Sequence, residues 1–373
     1  MSGITITGVT VYKARLPVVS ERRQGSGITK DAITNIFVKL DTDAGIAGWG
    51  EAATSAVFPG GTEAHMAALH VYFRPFVLGA DPFRIEALME RAERAVVHAA
   101  EAKAALEMAL FDIVGKALGT PVCNLLGGPY RDEIPLSYSI ANPDFDADME
   151  MAKRLYGEGL RIFKVKTGAA SHAEDLRRLE TLRAELSPDV DLRVDYNQGL
   201  DVFDAIPKLR DVEAFRPTFI EQPVDLNRLD AMAEITRAID TPIMADESAF
   251  SPANALDIVR QRAADIIAIK VMKGGMMNVR RISTIAQAAG ILCYGGDMAE
   301  SGLGHLAGTH VIAATPNISL GCEFYQATYY LKEDILAQPF PVADGRVQVP
   351  TTPGLGIDVD EDKLAKYTVE RLT

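Results

Sequence analysis

Cysteine is scarce in this chain of 373 residues, which contains only Cys123, Cys293 and Cys322. Three scattered cysteines without a CxxC pair exclude a disulfide framework and favour a reducing compartment. No run of about 18 apolar residues occurs, so the sequence predicts no membrane span. The first residues, from Met1 to Val11, alternate like a strand and lack the regions of a signal peptide. We therefore expect a cytoplasmic protein.

Positive charge is also in short supply. There are 38 Lys and Arg residues against 51 Asp and Glu residues, which gives a net charge of −13. Because such a chain repels a phosphate backbone and an anionic lipid surface, we expect neither nucleic acid nor a membrane as a partner. An anionic small molecule is still compatible with this balance, since a local group of lysines or a metal ion reverses the sign within one cleft.

Aromatic residues are few, at 7%, but hydrophobic residues as a whole reach 48%. This is the composition of an ordinary globular protein with a sizeable core. At about 150 residues per domain, the length indicates roughly two domains. The pattern along the chain changes near residue 125, which we take as the boundary.

The segment 1–125 has the pattern of an α+β domain. Alternating apolar and polar residues predict a three-stranded meander, and helical spacing of apolar residues follows over 63–118. Two glycine-bearing stretches, 18–29 and 54–62, are predicted to be loops, the first of them mobile. The predicted strands are 4–15, 32–40 and 46–51.

From 126 to 330 short apolar runs alternate with amphipathic helices, at intervals of about 25 residues. This order is typical of parallel βαβ units, and eight of them predict an α/β fold with a closed (β/α)8 barrel rather than an open sheet. The remaining segment, 331–373, returns to strands and turns. The eight predicted strands are 134–140, 162–166, 192–195, 218–221, 242–246, 266–270, 291–295 and 318–322.

The carboxyl ends of the predicted barrel strands carry charged residues, and functional side chains of such barrels converge at this end. Asp195, Glu221 and Asp246 stand there 26 and 25 residues apart, so three neighbouring strands deliver three carboxylates to one place. A single aspartate at a strand end would more simply be a helix cap, but caps need no such spacing. Converging carboxylates repel one another unless a cation neutralises them, and their hard oxygen atoms favour Mg²⁺ or Mn²⁺.

Lysines flank this cluster: Lys164 and Lys166 come from the strand before it, and Lys270 from the strand after it. Burial beside a divalent cation disfavours a protonated amine and lowers the pKa of a lysine, which suits a general base. Solvated strand ends are the alternative interpretation for Lys164 and Lys166. Lys273 is expected at the surface.

The motifs around these residues resemble the enolase superfamily, and within it the muconate lactonising enzyme subgroup of the mandelate racemase group. The likeness covers nearly the whole chain. It implies a modified (β/α)8 barrel with an α+β capping domain that the C-terminal segment completes, and it implies a homo-oligomer. The motifs are FKVK (163–166), VDYNQ (194–198), IEQP (220–223), ADES (245–248), IKVMKGG (269–275) and YGGDMAESGLG (294–304).

The resemblance also implies a metal site and a shared reaction step. Asp195, Glu221 and Asp246 would be the ligands of Mg²⁺, with Mn²⁺ as a substitute. The substrate would be a small-molecule carboxylate that loses the proton on the carbon next to its carboxylate. The resulting enolate would be prohibitively costly without positive charge placed where its own charge develops.

Seven further residues have roles implied by position. Lys166 and Lys270 would be the paired acid/base catalysts, and Lys164 would help to polarise the substrate carboxylate. The further substrate contacts would be Asn197, Asp297, Met298 and Glu300.

Several reactions share that enolate. The match at 294–304 favours a cycloisomerase of the muconate type. A racemase or epimerase of an N-acylated amino acid is the second interpretation, because it needs the same two lysines, and a dehydratase is the third. A dipeptide epimerase is disfavoured, since Glu323 stands where an Asp-x-Asp pair is expected after the eighth strand. A class I aldolase, in which a lysine forms a Schiff base, stays open as a different class, although the three carboxylates speak against it.

Some residues depart from the muconate pattern. Asp297 and Ser301 differ, and so do the loops 18–29 and 54–62, which would close over the substrate and set specificity. His305, on the helix after the seventh strand, is expected to pack in the core rather than act as a base.

Overall fold

The N-terminal part of the chain folds around an antiparallel sheet. The computed structural model of the protein describes residues 3–54 and 61–373. The strands of this part are β1 (Ile6–Pro17), β2 (Arg22–Gln24), β3 (Gly27–Thr29), β4 (Ala32–Thr42) and β5 (Ala47–Ala53). The three long strands form the predicted meander, in the order β1-β4-β5. The last strand of the chain, β17 (Thr368–Leu372), pairs antiparallel with β1, so the C-terminal segment completes this sheet.

The stretch 18–29, expected to be a mobile loop, is instead built as a hairpin in which β2 and β3 pair antiparallel. Its Arg22 is 8% exposed and donates from Nη1 to the backbone oxygen of Ser139, in the barrel, at 2.7 Å. The ring of Tyr325 lies 4.7 Å from the Arg22 guanidinium carbon. Residues 55–60 of the second expected loop lie outside the described residues.

Five helices follow the meander: α1 (Gly61–Ala67), α2 (Arg74–Val77), α3 (Ile85–Ala95), α4 (Ala100–Leu118) and α5 (Val122–Leu125), with a π-helical turn over Ala68–Phe73. Helix α4 is buried along most of its length and packs on β5. Gly48 and Gly50 make this approach possible, because a Cβ at either position would overlap the backbone oxygen of Ala109 or Ala105.

Eight parallel strands form the barrel, in sequential order from first to last. A parallel bridge between Leu136 and Cys322 joins its first and last strands, so the barrel is nearly closed. The predicted run 134–140 is divided, because β6 (Glu133–Pro135) leaves the barrel to pair with β16. The barrel strands are β7 (Ser137–Ile140), β8 (Ile162–Lys166), β9 (Asp191–Asp195), β10 (Ile220–Glu221), β11 (Ile243–Ala245), β12 (Ile266–Ile269), β13 (Leu292–Gly295) and β14 (Ile318–Cys322).

Side chains cap the first turn of four of the helices between these strands, α6, α7, α10 and α12. Ser251 forms a capping box with Asn254 at the start of α10, and Asp144 accepts from Ala147 N at the start of α6. The helices are α6 (Phe145–Gly157), α7 (His172–Glu185), α8 (Ala205–Glu213), α9 (Leu229–Ala238), α10 (Pro252–Gln261), α11 (Met276–Ala288) and α12 (Gly302–Ala313). After the barrel come a π-helical turn (Gln326–Tyr330), β15 (Val342–Ala343), β16 (Arg346–Gln348) and α13 (Glu361–Tyr367).

The three cysteines are buried and form no disulfide bond, which agrees with the prediction from their scattered positions. Within residues 3–54 and 61–373, no helix has the length and apolar character needed to cross a membrane.

Candidate active site

The three predicted carboxylates lie at the carboxyl ends of adjacent barrel strands. Asp195 ends β9, Glu221 ends β10, and Asp246 directly follows β11. Asp195 and Glu221 are register partners in the parallel pairing of their strands. All three are at most 1% exposed. Three neighbouring strands therefore bring three buried carboxylates to one mouth, as the spacing predicts.

Two lysines approach this group from its two sides. Lys166 Nζ lies 2.6 Å from Asp195 Oδ2 and 3.1 Å from Asn197 Oδ1. Lys270 Nζ lies 2.7 Å from Asp246 Oδ2. Asp195, Glu221 and Asp246 form what we call the carboxylate row. Lys166 and Lys270 each form an ion pair with one of its two outer members.

Lys164 lies deeper, beneath the row. Its Nζ is 2.7 Å from Glu221 Oε2, 3.2 Å from Asp195 Oδ2 and 2.6 Å from Glu323 Oε2. Glu323 follows β14 and also accepts a hydrogen bond from Ser139 Oγ. Lys164 is 1% exposed, so it is a buried cation shared by carboxylates and not a solvated strand end.

Carboxyl groups outnumber lysines at this end of the barrel, where six carboxyl groups lie near four lysines. They are Asp195, Glu221, Asp246, Glu247, Asp297 and Glu323, against Lys164, Lys166, Lys270 and Lys273. Burial raises the pKa of Glu221 well above its usual value, and the charge of Asp195 raises it further. Burial alone would also raise the pKa of Asp195, but Lys166 and Lys164 outweigh it and hold that pKa below its usual value.

The residues present fit a hard divalent cation. The donor set consists of carboxylate oxygens, which Mg²⁺ and Mn²⁺ prefer. Glu221 Oε1 and Glu247 Oε2 are buried and find no hydrogen-bond partner among the described residues. A buried acceptor without a partner is costly, and a cation bound beside it would satisfy it.

The expected lowering of the lysine pKa values is not found in this arrangement. Burial lowers the pKa of Lys166 and of Lys270, but neighbouring carboxylates outweigh burial and raise both values above the usual one. For Lys270 the largest of these contributions comes from Asp246. Each lysine is therefore protonated as long as its partner carboxylate does not also bind a cation.

Two side chains to which the sequence assigned no role at the site, Lys273 and Gln222, form hydrogen bonds to Asp246. Lys273, expected at the surface, is 1% exposed, and its Nζ donates to the backbone oxygens of Asp246 at 2.7 Å and Ala268 at 2.9 Å. Gln222, next to Glu221, accepts from Asp246 N at 3.0 Å. The expectation for Lys273 was wrong because the chain turns back directly after β12 and buries the side chain beneath the mouth.

Unusual backbone conformations cluster at the same strand ends. Asn197, Gln198, Gln222 and Ala299 have positive φ values of 42°, 68°, 31° and 72°. Such conformations are uncommon outside glycine and persist where the surroundings fix them, which is common at functional sites. The side chains of these loops are therefore held in defined positions.

The seventh loop, residues 296–301 between β13 and α12, brings two of its three predicted substrate contacts to the cavity. Asp297 and Met298 line the cavity at the barrel mouth, whereas Glu300 is not among its lining residues.

One ligand atom each from Asp297, Glu300 and His305 lie within 4.8 Å of one another, so these residues form a second group that could hold a metal ion. His305 is fully buried and stacks on Phe324, and burial lowers its pKa to about 3, which agrees with a packing role.

The cavity itself has a volume of about 620 Å³ and lies between the barrel mouth and the N-terminal sheet domain. Lys166, Lys270 and Asn197 line its floor, and the hairpin β2–β3 contributes Arg22 to its wall. Thr54 and Thr62, which flank residues outside the described part of the chain, line it too. The capping domain thus covers the charged strand ends.

The sequence matches two family descriptions. Residues 8–127 match "Mandelate racemase / muconate lactonizing enzyme, N-terminal domain", and residues 147–363 match "Enolase C-terminal domain-like". The second match alone spans more than half of the chain. The chain belongs to the mandelate racemase/muconate lactonizing enzyme family of the enolase superfamily.

Similar proteins of this family are isomerases of two kinds. A muconate cycloisomerase from Azorhizobium caulinodans is 46% identical in sequence, and its crystal structure matches 98% of this chain and 99% of that chain with a TM-score of 0.85. Muconate lactonizing enzyme from Pseudomonas fluorescens, solved with muconolactone, is 33% identical, with a TM-score of 0.92 over 98% and 99% of the two chains. The N-succinyl-L-Arg/Lys racemase of Bacillus cereus is 33% identical over 372 residues, 98% of each chain.

Proposed function

We propose that this member of the family is an isomerase that depends on a divalent cation and moves a proton on the carbon next to a substrate carboxylate. The observation that carries the proposal is the placement of Lys166 on Asp195 and of Lys270 on Asp246, at opposite ends of one buried carboxylate row. Two amines on two sides of one cavity can address the two faces of a planar intermediate.

Asp195, Glu221 and Asp246 would hold the cation, for which we propose Mg²⁺ with Mn²⁺ as a substitute. When bound, the cation would supply positive charge beside the oxygen atoms on which negative charge develops. Carboxylates shared with a cation attract a neighbouring ammonium less strongly, so the pKa of Lys166 and of Lys270 would fall from its raised value.

The chain's own residues would then carry the proton. A neutral Nζ of one lysine takes the proton from the substrate carbon, and the protonated Nζ of the other can deliver one to the opposite face. Lys164 does not line the cavity, and its buried ammonium would help to polarise the substrate carboxylate from beneath Asp195 and Glu221. Asn197, Asp297 and Met298 face the same space, and the capping domain would exclude water from it.

A cycloisomerase of the muconate type is the reaction we favour. Its support is the similarity to muconate cycloisomerases, one of them 46% identical over 98% of this chain. In a lactone-forming syn addition a single lysine delivers the proton, and we propose Lys166 for this role. The substrate would be a small dicarboxylate, one of whose carboxylates lies beside the cation held by Asp195, Glu221 and Asp246.

A racemase of an N-acylated amino acid is the second candidate, and a specific observation favours it. The two lysines are placed alike, since each forms a hydrogen bond to one carboxylate of the row and each lines the cavity. A reaction that exchanges protons on both faces uses both, whereas a syn addition needs only one. The N-succinyl-L-Arg/Lys racemase from Bacillus cereus shows that such activity occurs among relatives at 33% identity.

One screen tests these proposals together. The protein, freed of metal with EDTA and reloaded with Mg²⁺, would be incubated with cis,cis-muconate and with a set of N-succinyl amino acids in D₂O. Lactone formation supports the cycloisomerase, and deuterium at the α-carbon with loss of optical activity supports the racemase. Full activity in EDTA, or covalent trapping of a lysine by borohydride with a carbonyl substrate, would refute the metal-dependent isomerase and favour the aldolase class.

A further inference from the structure

A carboxylate of the capping domain is held within the barrel's seventh loop. Glu51, on β5, is fully buried. Its Oε1 accepts from Asn35 Nδ2 at 2.7 Å and from Ser301 N at 2.8 Å. Its Oε2 accepts from Ser301 Oγ and from Gly304 N, both at 2.8 Å. A residue outside the barrel therefore caps the first turn of the barrel helix α12, where a negative charge is favourable.

The same contact reaches the part of the loop that faces the cavity. Asn35 Nδ2 also donates to the backbone oxygen of Ala299 at 3.0 Å. Ala299 has a φ of 72°, a left-handed conformation that a non-glycine residue keeps only where its surroundings fix it. The two residues before it, Asp297 and Met298, line the cavity.

The backbone at Gly304 lies close to the side chains of Glu51 and Glu300. A Cβ at Gly304 would lie 3.0 Å from Glu51 Oε2 and 2.7 Å from Glu300 Cγ. A side chain at position 304 would therefore overlap Glu300 and press on Glu51 Oε2, and glycine avoids both contacts. Glu300, in turn, packs against this turn and not against the cavity.

We propose that Glu51, together with Asn35, is a positioning residue of the active site. It fixes the seventh loop in the conformation in which Asp297 and Met298 face the substrate. The capping domain thus shapes one wall of the cavity from behind, through the loop, in addition to covering the mouth. This inference rests on the proposed function only in treating that cavity as the substrate site.

The decisive variant is Glu51→Gln. A glutamine offers one oxygen where the structure uses two, so its amide nitrogen would face the N–H of Ser301 or of Gly304, and at least one buried donor would lose its acceptor. We expect amide hydrogen exchange in residues 297–304 to become at least about tenfold faster. On whichever substrate the wild type converts, kcat/KM should fall on the order of 10²-fold with a raised KM, because a displacement of about 1 Å has this effect.

Glu107→Gln is the matched control. Glu107 is also a buried glutamate of the capping domain that meets the first turn of a barrel helix, since its Oε2 accepts from Met277 N at 3.3 Å in α11. No hydrogen bond joins it to the seventh loop among the described residues, and its partners are instead the backbone N–H groups of Met276 and Met277. Exchange in 297–304 and kcat/KM should stay at the wild-type level in this variant. Equal losses in both variants would show a general effect of domain packing and overturn the positioning role.

Two further measurements keep the outcome unambiguous. Mn²⁺ affinity at Asp195, Glu221 and Asp246 should be unchanged in Glu51→Gln, because these three ligands lie on other strands than the seventh loop. If that variant does not fold, Asn35→Ala, which removes the bond to Ala299 O, should still accelerate exchange in 297–304.

Wild-type exchange rates in both Glu51→Gln and Asn35→Ala would refute the inference. A wild type that converts neither muconate nor N-succinyl amino acids would refute the proposed reactions, while the exchange data would still decide the positioning role.

Discussion

The ammonium of Lys273 donates to the backbone oxygen of Asp246 at 2.7 Å and lies 2.8 Å from that residue's Oδ1. Lys273→Met would leave the buried oxygens of Asp246 and Ala268 without this donor. Because removal of one partner of a buried ion pair is strongly destabilising, we expect the free energy of unfolding to fall by about 3 kcal/mol. Urea unfolding followed by circular dichroism measures it.

Lys103→Met is the control for that substitution. Lys103 is equally buried, but its partner Glu93 is 60% exposed in its side chain. Water can replace the lost ammonium at Glu93, so the expected loss is about 1 kcal/mol. A Lys273→Met protein as stable as the Lys103→Met protein would contradict the supporting role.

Substitution of one ligand should remove metal binding without unfolding the protein. We expect Asp195→Asn, Glu221→Gln and Asp246→Asn each to weaken Mn²⁺ binding by more than about 100-fold and to abolish turnover. Because burial and the charge of Asp195 raise the pKa of Glu221, its neutral replacement should leave the metal-free protein at least as stable as the wild type. Calorimetric titration with Mn²⁺ and thermal unfolding in EDTA test both statements. Activity that survives EDTA and all three substitutions would exclude the metal site.

The two lysines can be distinguished by isotope exchange. In a racemase, Lys166→Ala should abolish racemisation but leave Lys270 able to exchange deuterium into one enantiomer, and Lys270→Ala should do the reverse. In a syn cycloisomerase, Lys166→Ala should abolish turnover, and Lys270→Ala should reduce it on the order of 10²-fold. Stereospecific NMR of the recovered substrate gives the answer. Unimpaired rates in both variants would mean that neither amine moves the proton.

Glu107 should make the stability of the protein depend on pH. Burial raises the pKa of Glu107 from 4.5 to about 8, so the folded state binds a proton that the unfolded state has released. Its contribution to the free energy of unfolding is therefore fully present below pH 4.5 and is lost as the pH rises to about 8. Unfolding curves of wild type and Glu107→Gln across this range should diverge with rising pH, with the variant the more stable at pH 8. A constant difference would show that Glu107 does not titrate in this window.

Periodicity was sufficient to predict the barrel, and the reason is physical. Buried parallel strands need continuous apolar runs, and the side chains at their carboxyl ends must point into the mouth, so Asp195, Glu221 and Asp246 could be placed from their spacing alone. Glu323 follows the eighth strand in the same way and could have been found by the same rule. Its pairing with Lys164 depends on the closure of the barrel, which brings the first two strands beside the last.

The contacts between domains could not be predicted in the same way. Glu51 lies in a strand whose pattern explains it as an ordinary polar position, and nothing local indicates that it meets Ser301, 250 residues further on. Lys273 was misplaced because a lysine just after a strand is usually solvated, and only the turn back under the mouth buries it. The hairpin within 18–29 was missed because its strands have three residues each, too few for alternation to show.

The pairing of β17 with β1 has a consequence for how the protein is made. A ribosome releases the N-terminal strands first, but the edge of β1 waits for residues 368–372, which are translated after the entire barrel. Until then, β1 offers unpaired backbone groups to any other strand nearby. The sheet of the N-terminal part is therefore completed only after the barrel has been translated, and a nascent chain stalled within the barrel would expose the unpaired edge of β1 to other strands.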